Sequence, residues 1–263
     1  MSERVSLTVD DEGLATLRMQ DAAGKNAFSR AFVAELVDAL TRAGEDPRVK
    51  CCVIAGLPTV FSAGGDRSLL IELAEGTASP YDLLLTRSLL DVPIPTVAAM
   101  SGAAVGGGLI FGLACDLVVL ARESRYGCNF MDLGFTPGMG TTQLLQTAVG
   151  DHVAAEMMFG CQYFRGAHFA GRGAINYVEP REQVEERAFA VAGRFVDKPR
   201  HALSLLKRAL SLPRRRAFEE ARTIESMMHE VCFERPETRQ RIRENYNLNP
   251  GTGTKPAPDT EGS

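Results

Sequence analysis

Two glycine clusters, each directly after a short apolar run, constrain this chain more than any other feature. The first, Phe61-Ser62-Ala63-Gly64-Gly65-Asp66, follows Cys51-Cys52-Val53-Ile54-Ala55. The second, Ser101-Gly102-Ala103-Ala104-Val105-Gly106-Gly107-Gly108, follows Pro93-Ile94-Pro95-Thr96-Val97-Ala98-Ala99-Met100. Both apolar runs read as buried strands, and both clusters sit where a strand gives way to a helix. Glycine at such a point lets a backbone approach a ligand closely. Helix N-termini carry unpaired N–H groups and positive dipole character. Two such ends facing each other would make a pair of donors for a developing oxyanion. A tight strand-to-helix turn needs small residues in any case, so the information lies in the pairing and order of the clusters.

The rest of the chain supports an α/β fold. Residues 5–9 and 14–19 read as a hairpin turning at Asp10-Asp11-Glu12-Gly13. Ser29 can cap a helix whose apolar positions include Phe32, Leu36, Ala39 and Leu40. Asp116-Leu117-Val118-Val119-Leu120-Ala121 reads as a further strand. The alternation predicts a mostly parallel sheet with helices packed around it. Beyond about residue 140 the pattern turns helical, over 141–149, 154–158 and 182–195. A long helix is expected near 214–233, with Pro213 in its first turn and Arg214-Arg215-Arg216 as a solvated face. No internal repeat is visible. The division expected is a core over 1–195, a helical region over 196–247 and a disordered tail over 248–263, which is rich in Asn, Pro, Gly and Thr.

Bulk properties exclude several roles. At 263 residues and 45% hydrophobic content the chain can bury a sizeable core. A formal net charge of −4 argues against electrostatic capture of nucleic acid or an acidic membrane. No apolar run approaches the ~20 residues that span a bilayer, and the start Met1-Ser2-Glu3-Arg4 does not resemble a signal peptide. The 6 cysteines lack metal-ligand spacing, so no metal site is expected, and buried thiols in a reducing cytoplasm fit them best.

Taken in order, four motifs resemble the crotonase (enoyl-CoA hydratase/isomerase) superfamily over roughly residues 5–246. They are Lys25-Asn26-Ala27-Phe28-Ser29, the two glycine clusters, and Thr136-Pro137-Gly138-Met139-Gly140. Arg165-Gly166-Ala167 through Val178-Glu179-Pro180 is similar to the family's closing helix-turn-strand segment. The resemblance implies a ββα spiral fold with a helical C-terminal region that builds trimers or dimers of trimers. It assigns the oxyanion-hole N–H groups to Gly65 and Gly107, and it places Ala63 beside the pantetheine arm of a thioester.

The departures from the family are as informative. Crotonase hydratases use two glutamates, and the corresponding positions here hold Ile110 and Phe130. Neither side chain can move a proton, so syn addition of water loses its acid and base. A narrower resemblance accounts for this. Residues 123–140, from Glu123-Ser124-Arg125-Tyr126 to Gly140, and Met227-Met228-His229-Glu230-Val231-Cys232-Phe233 resemble the decarboxylating crotonases of polyketide β-branching cassettes. Members of that subgroup carry a lysine thought to meet the substrate carboxylate, and Ser79 stands in its place here. Arg67 and Arg87 are near in sequence, but spacing does not show that they point inward.

By this resemblance the expected reaction is decarboxylation of a 3-methylglutaconyl-type or homologous 3-alkyl thioester. The substrate would be tethered through phosphopantetheine of an acyl carrier protein, or through CoA, with no further cofactor. Ile110 and Phe130 would line the acyl site, and His229 would return a proton to the carbanion. Dehydration of the 3-hydroxy-3-methylglutaryl-type thioester, alone or combined with decarboxylation, stays open, as does a non-catalytic acyl-thioester or carrier-protein binding module. His229 could instead form a surface contact with Glu225, one turn away. Asp66 is expected to cap a helix, and Cys128 to be a buried thiol without a partner. His152, His168 and His201 look like surface or turn residues, and Asp132 like a bystander beside the pocket.

Overall fold

The computed structural model describes residues 3–78, 85–172 and 175–246. Ser79 and the expected tail at 248–263 lie outside the described residues. Its main sheet begins with the expected hairpin, β1 (Val5–Val9) and β2 (Leu14–Met19), paired antiparallel. β4 (Cys51–Ala55), β7 (Thr96–Met100), β9 (Leu117–Ala121) and β12 (Tyr177–Glu179) continue it in parallel, giving six strands in the order β1-β2-β4-β7-β9-β12. β4 and β7 are buried along their whole length, as strands covered on both faces must be. α1 (Arg30–Glu45) packs on the sheet through Phe32, Leu36, Ala39 and Leu40, with the Ser29 hydroxyl accepting from the Phe32 N–H at 3.3 Å. Burying each of the large side chains among them stabilises the fold by roughly 1.5–3 kcal/mol.

Between each central strand and its helix the chain makes a second, shorter strand. β4 leads to β5 (Val60–Ser62) and β6 (Gly64–Gly65) before α2 (Arg67–Ala74). β7 leads to β8 (Ala103–Val105) before α4 (Gly107–Leu113), and β9 leads to β10 (Arg125–Gly127) before a 3-10 turn at Met131–Leu133. With β11 (Tyr163–Arg165), these short strands form a second sheet ordered β11-β10-β8-β5. β3 (Ala27–Phe28) pairs with β6. The backbone thus repeats a ββα unit that the sequence does not repeat, which defines the crotonase spiral. α3 (Leu85–Asp91), α5 (Thr141–Val149), α6 (Asp151–Phe159) and α7 (Val184–Ala192) surround the sheets.

The C-terminal region departs from expectation. α8 runs unbroken from Arg200 to Phe233, so Pro213 lies inside the helix and not at its start. An internal proline removes one backbone hydrogen bond and crowds the carbonyl four residues back, at about 3 kcal/mol. Ion pairs on either side of it hold the helix to the core. The Lys207 ammonium meets Asp116 at 2.6 Å with its side chain 1% exposed, and Arg214 pairs with the other Asp116 oxygen. Burial alone would raise the Asp116 pKa, but the two cations outweigh it and hold the carboxyl below its usual range. Arg214 also donates to the Ala114 and Cys115 carbonyls, and Arg215 to the Leu90 carbonyl. The triple-arginine run is therefore a docking element, with only Arg216 exposed in the expected way. α9 (Pro236–Asn245) closes the described chain.

Candidate active site

Parallel pairing of β5 with β8 brings the two glycine turns side by side, matching Val60 with Ala103 and Ser62 with Ala104. Gly64 has φ +84°, and a Cβ there would stand 2.5 Å from the Val105 carbonyl oxygen, so this approach requires glycine. Gly107 opens α4, where first-turn N–H groups lack intrahelical partners. Gly65 lies in β6, and its carbonyl accepts from the Tyr246 hydroxyl at 2.8 Å. Asp66 caps α2, accepting from the Ser68 N–H at 2.9 Å and the Leu69 N–H at 3.3 Å.

Gly65 and Gly107 face one cleft, together with Ala63. Phe130 lines it too, edge-on to Phe135 at 5.8 Å between ring centroids. Ile110 does not line it; on the same helix as Gly107 it is 0% exposed within the core behind. Leu70, Leu73, Met139 and Phe218 complete a largely apolar wall.

α8, which carries Phe218, also brings polar side chains to the cleft. Arg222, Glu225, Ser226 and His229 fall on one helical face at spacings of three, four and seven residues and all line the cleft. The imidazole packs against Phe135 and Phe233, and its Nε2 lies 2.8 Å from the Thr136 carbonyl oxygen. A carbonyl can only accept, so Nε2 carries the proton in this pair. Nδ1 is buried with no hydrogen-bond partner among the described residues. Burial pushes the His229 pKa down, and the backbone contacts at Thr136 and Pro137 only partly oppose this.

Glu225 does not pair with His229 as a surface contact would have it. Both are buried, and the Glu225 carboxylate accepts from the Gly140 N–H at 2.7 Å, the Thr142 N–H at 2.8 Å and the Thr142 hydroxyl at 2.9 Å. Burial nevertheless raises its pKa, against these three donors. The Thr136–Gly140 segment is thus the platform for both side chains. A Cβ at Gly138 would come within 2.6 Å of His229 Cε1.

Other candidates fall away from the cleft. The Cys128 thiol is wholly buried and its pKa is driven well above the ordinary range, which makes it a poor nucleophile. Arg67 donates to the Arg243 carbonyl, and Arg87 pairs with Asp91 and Glu219; neither lines the cleft. His152 and His201 are exposed, and His168 stacks on Phe164 at 4.3 Å. Asp132 is exposed. Among the described residues, no group of three or more His, Cys, Asp or Glu is arranged to hold a metal, and no helix is long and apolar enough to cross a membrane. Arg222, Glu225, Ser226, Asn129 and Tyr246 are the polar lining residues that sequence reasoning did not select as site residues. The helical spacing back from His229 was the available signal for three of them.

A spiral of ββα units with paired glycine turns at one cleft defines the crotonase class. The chain belongs to the enoyl-CoA hydratase/isomerase family, whose pattern matches residues 10–246, and it is a lyase of that family. It is 36% identical over 242 residues to the bacillaene synthase decarboxylase PksI of Bacillus subtilis, covering 92% of this chain and 97% of that protein. A structure reported for a dehydratase/decarboxylase enzyme couple involved in polyketide β-branching superposes with a TM-score of 0.88 at 35% identity, over 92% of this chain and 99% of that one. The ECH2 decarboxylase domain of CurF from Lyngbya majuscula gives 0.86 at 33% identity, over 93% and 100%.

Proposed function

We propose that this enzyme decarboxylates a 3-methylglutaconyl-type, or homologous 3-alkyl, thioester carried on the phosphopantetheine of an acyl carrier protein. The observation that carries this reading is the composition of the cleft. Backbone at Gly65 and Gly107 meets apolar side chains where hydration would need carboxylates, with Phe130 on the wall and Ile110 behind it. Similarity to the PksI and CurF decarboxylases supports it.

In the proposed step the bond to the free carboxylate breaks and CO₂ leaves. The electron pair delocalises through the double bond into the thioester as a dienolate. The N–H groups of Gly65 and Gly107 would hold its oxygen, each contributing roughly 2.7–4 kcal/mol. No base is needed, because the leaving group is already ionised, and no cofactor is needed, because the thioester is the electron sink. His229, once protonated, returns the proton to carbon. The entering carboxylate and the developing dienolate both favour the imidazolium that burial disfavours in the empty site.

Dehydration would call for a carboxylate placed to move a proton. The cleft carboxylate, Glu225, has both oxygens engaged by the Gly140–Thr142 turn. Ala63, at the cleft edge, would border the pantetheine arm. The exposed apolar stripe on α8 fits a homotrimer or dimer of trimers. The test uses carrier-bound acid labelled at its free carboxyl. Labelled CO₂ should be released in step with substrate loss; label retained on the carrier would sink the reading.

A further inference from the structure

Glu225 is a buried carboxylate, 2% exposed, that moves no proton in the proposed chemistry. An ionised group is costly to bury unless donors meet it. Here the Gly140 N–H reaches one oxygen, and the Thr142 N–H and hydroxyl reach the other. A glutamine could not serve equally, because its NH₂ would face one of those donors. The site therefore calls for a carboxylate, and the carboxylate ties α8 to the segment that enters α5.

That segment holds an unfavourable backbone conformation. Met139 has φ +63°, in the left-handed region that non-glycine residues seldom adopt, and Gly140 follows at φ +87°. The N–H that Glu225 binds belongs to the peptide between these two residues. The same segment reaches both halves of the proposed chemistry. The Met139 thioether packs against Gly107, where a Cβ would collide with the sulfur, and the Thr136 carbonyl accepts from His229 Nε2 at 2.8 Å. We infer that Glu225 is a positioning residue: its carboxylate holds residues 136–142 so that Gly107 and His229 keep their relative placement across the cleft. The inference rests on the roles given to Gly107 and His229 in the decarboxylation proposed above. Glu225 acts through groups that meet the transition state, so its removal lowers kcat more than it raises KM.

Glu225→Gln tests this, with Thr142→Val as a milder lesion that removes one donor to the same carboxylate. On 3-methylglutaconyl-pantetheine, Glu225→Gln should lower kcat about tenfold to a hundredfold while KM changes less than about threefold. Thr142→Val should show a smaller loss of the same kind. The His229 Nε2 proton, observed by NMR and assigned by its absence in His229→Ala, reports the placement without turnover. It should exchange with water at least about tenfold faster in Glu225→Gln, while backbone amides of the main sheet exchange as in the wild type. An unchanged kcat, an equal rise in KM, or a lowered kcat with the Nε2 proton as protected as before would overturn the assignment while leaving decarboxylation standing. Should Glu225→Gln fail to fold, Thr142→Val carries both readings. If the wild type does not turn the acid over, proton exchange alone decides. Faster exchange confined to His229 upholds Glu225 without decarboxylation, and unchanged exchange overturns it.

Discussion

His229 Nε2 donates to the Thr136 carbonyl at 2.8 Å, which leaves Nδ1 as the nitrogen without a partner among the described residues. As a proton donor to carbon the ring must first be doubly protonated, and burial makes that form scarce. The active protonation state is then lost as pH rises through a pKa below the ordinary imidazole range. The falling limb of kcat/KM should lie there, and His229→Ala should lower kcat about a hundredfold or more and abolish the limb. Circular dichroism should show the fold retained. Wild-type turnover in that variant would remove His229 from the reaction.

Lys207 and Asp116 meet at 2.6 Å beneath α8, and the lysine side chain is 1% exposed. Removing one partner of a buried pair leaves the other charge uncompensated, at about 3–5 kcal/mol. Arg214 still faces Asp116 and keeps the effect toward the lower end. Lys207→Ala should therefore lower unfolding stability by about 3 kcal/mol in denaturant titration. A change under about 1 kcal/mol would show that α8 is held by other contacts.

Met227 and Val231 are 64% and 58% exposed, and with Ile224 at 47% they form an apolar strip on the outer face of α8. Such a strip is disfavoured in water unless another surface covers it. In the proposed trimer this face meets a second copy. Met227→Glu combined with Val231→Glu should shift the mass measured by light scattering toward that of a single chain. An unchanged oligomeric mass would place the interface elsewhere.

What the sequence disclosed depended on how local each signal was. The strands at 51–55 and 96–100 were legible as apolar runs, and the turns after them as glycine clusters. The ββα repeat was not, because its second strands are three residues long and read Val-Phe-Ser, Ala-Ala-Val and Arg-Tyr-Gly, with no shared pattern. Pro213 and three arginines imitated a helix start, since the tertiary partners Asp116 and Leu90 lie about a hundred or more residues away. Glu225 read as a surface contact for His229 and Arg222 went unselected, because their spacing from His229 points to one helical face but only the fold turns that face toward the cleft. Gly65, Gly107, Ala63, Phe130 and His229 were reached through the resemblance, and the structure gathers them at one cleft. Ile110 was placed one layer too far forward, being core behind the glycine turn.

The intact mass of an acyl carrier protein loaded with 3-methylglutaconate, followed over time with the enzyme, tests the central claim most directly. The proposed chemistry predicts that the acyl group loses the mass of one CO₂, at a rate proportional to enzyme. An acyl mass that stays constant, or that changes only by the mass of water, would contradict it.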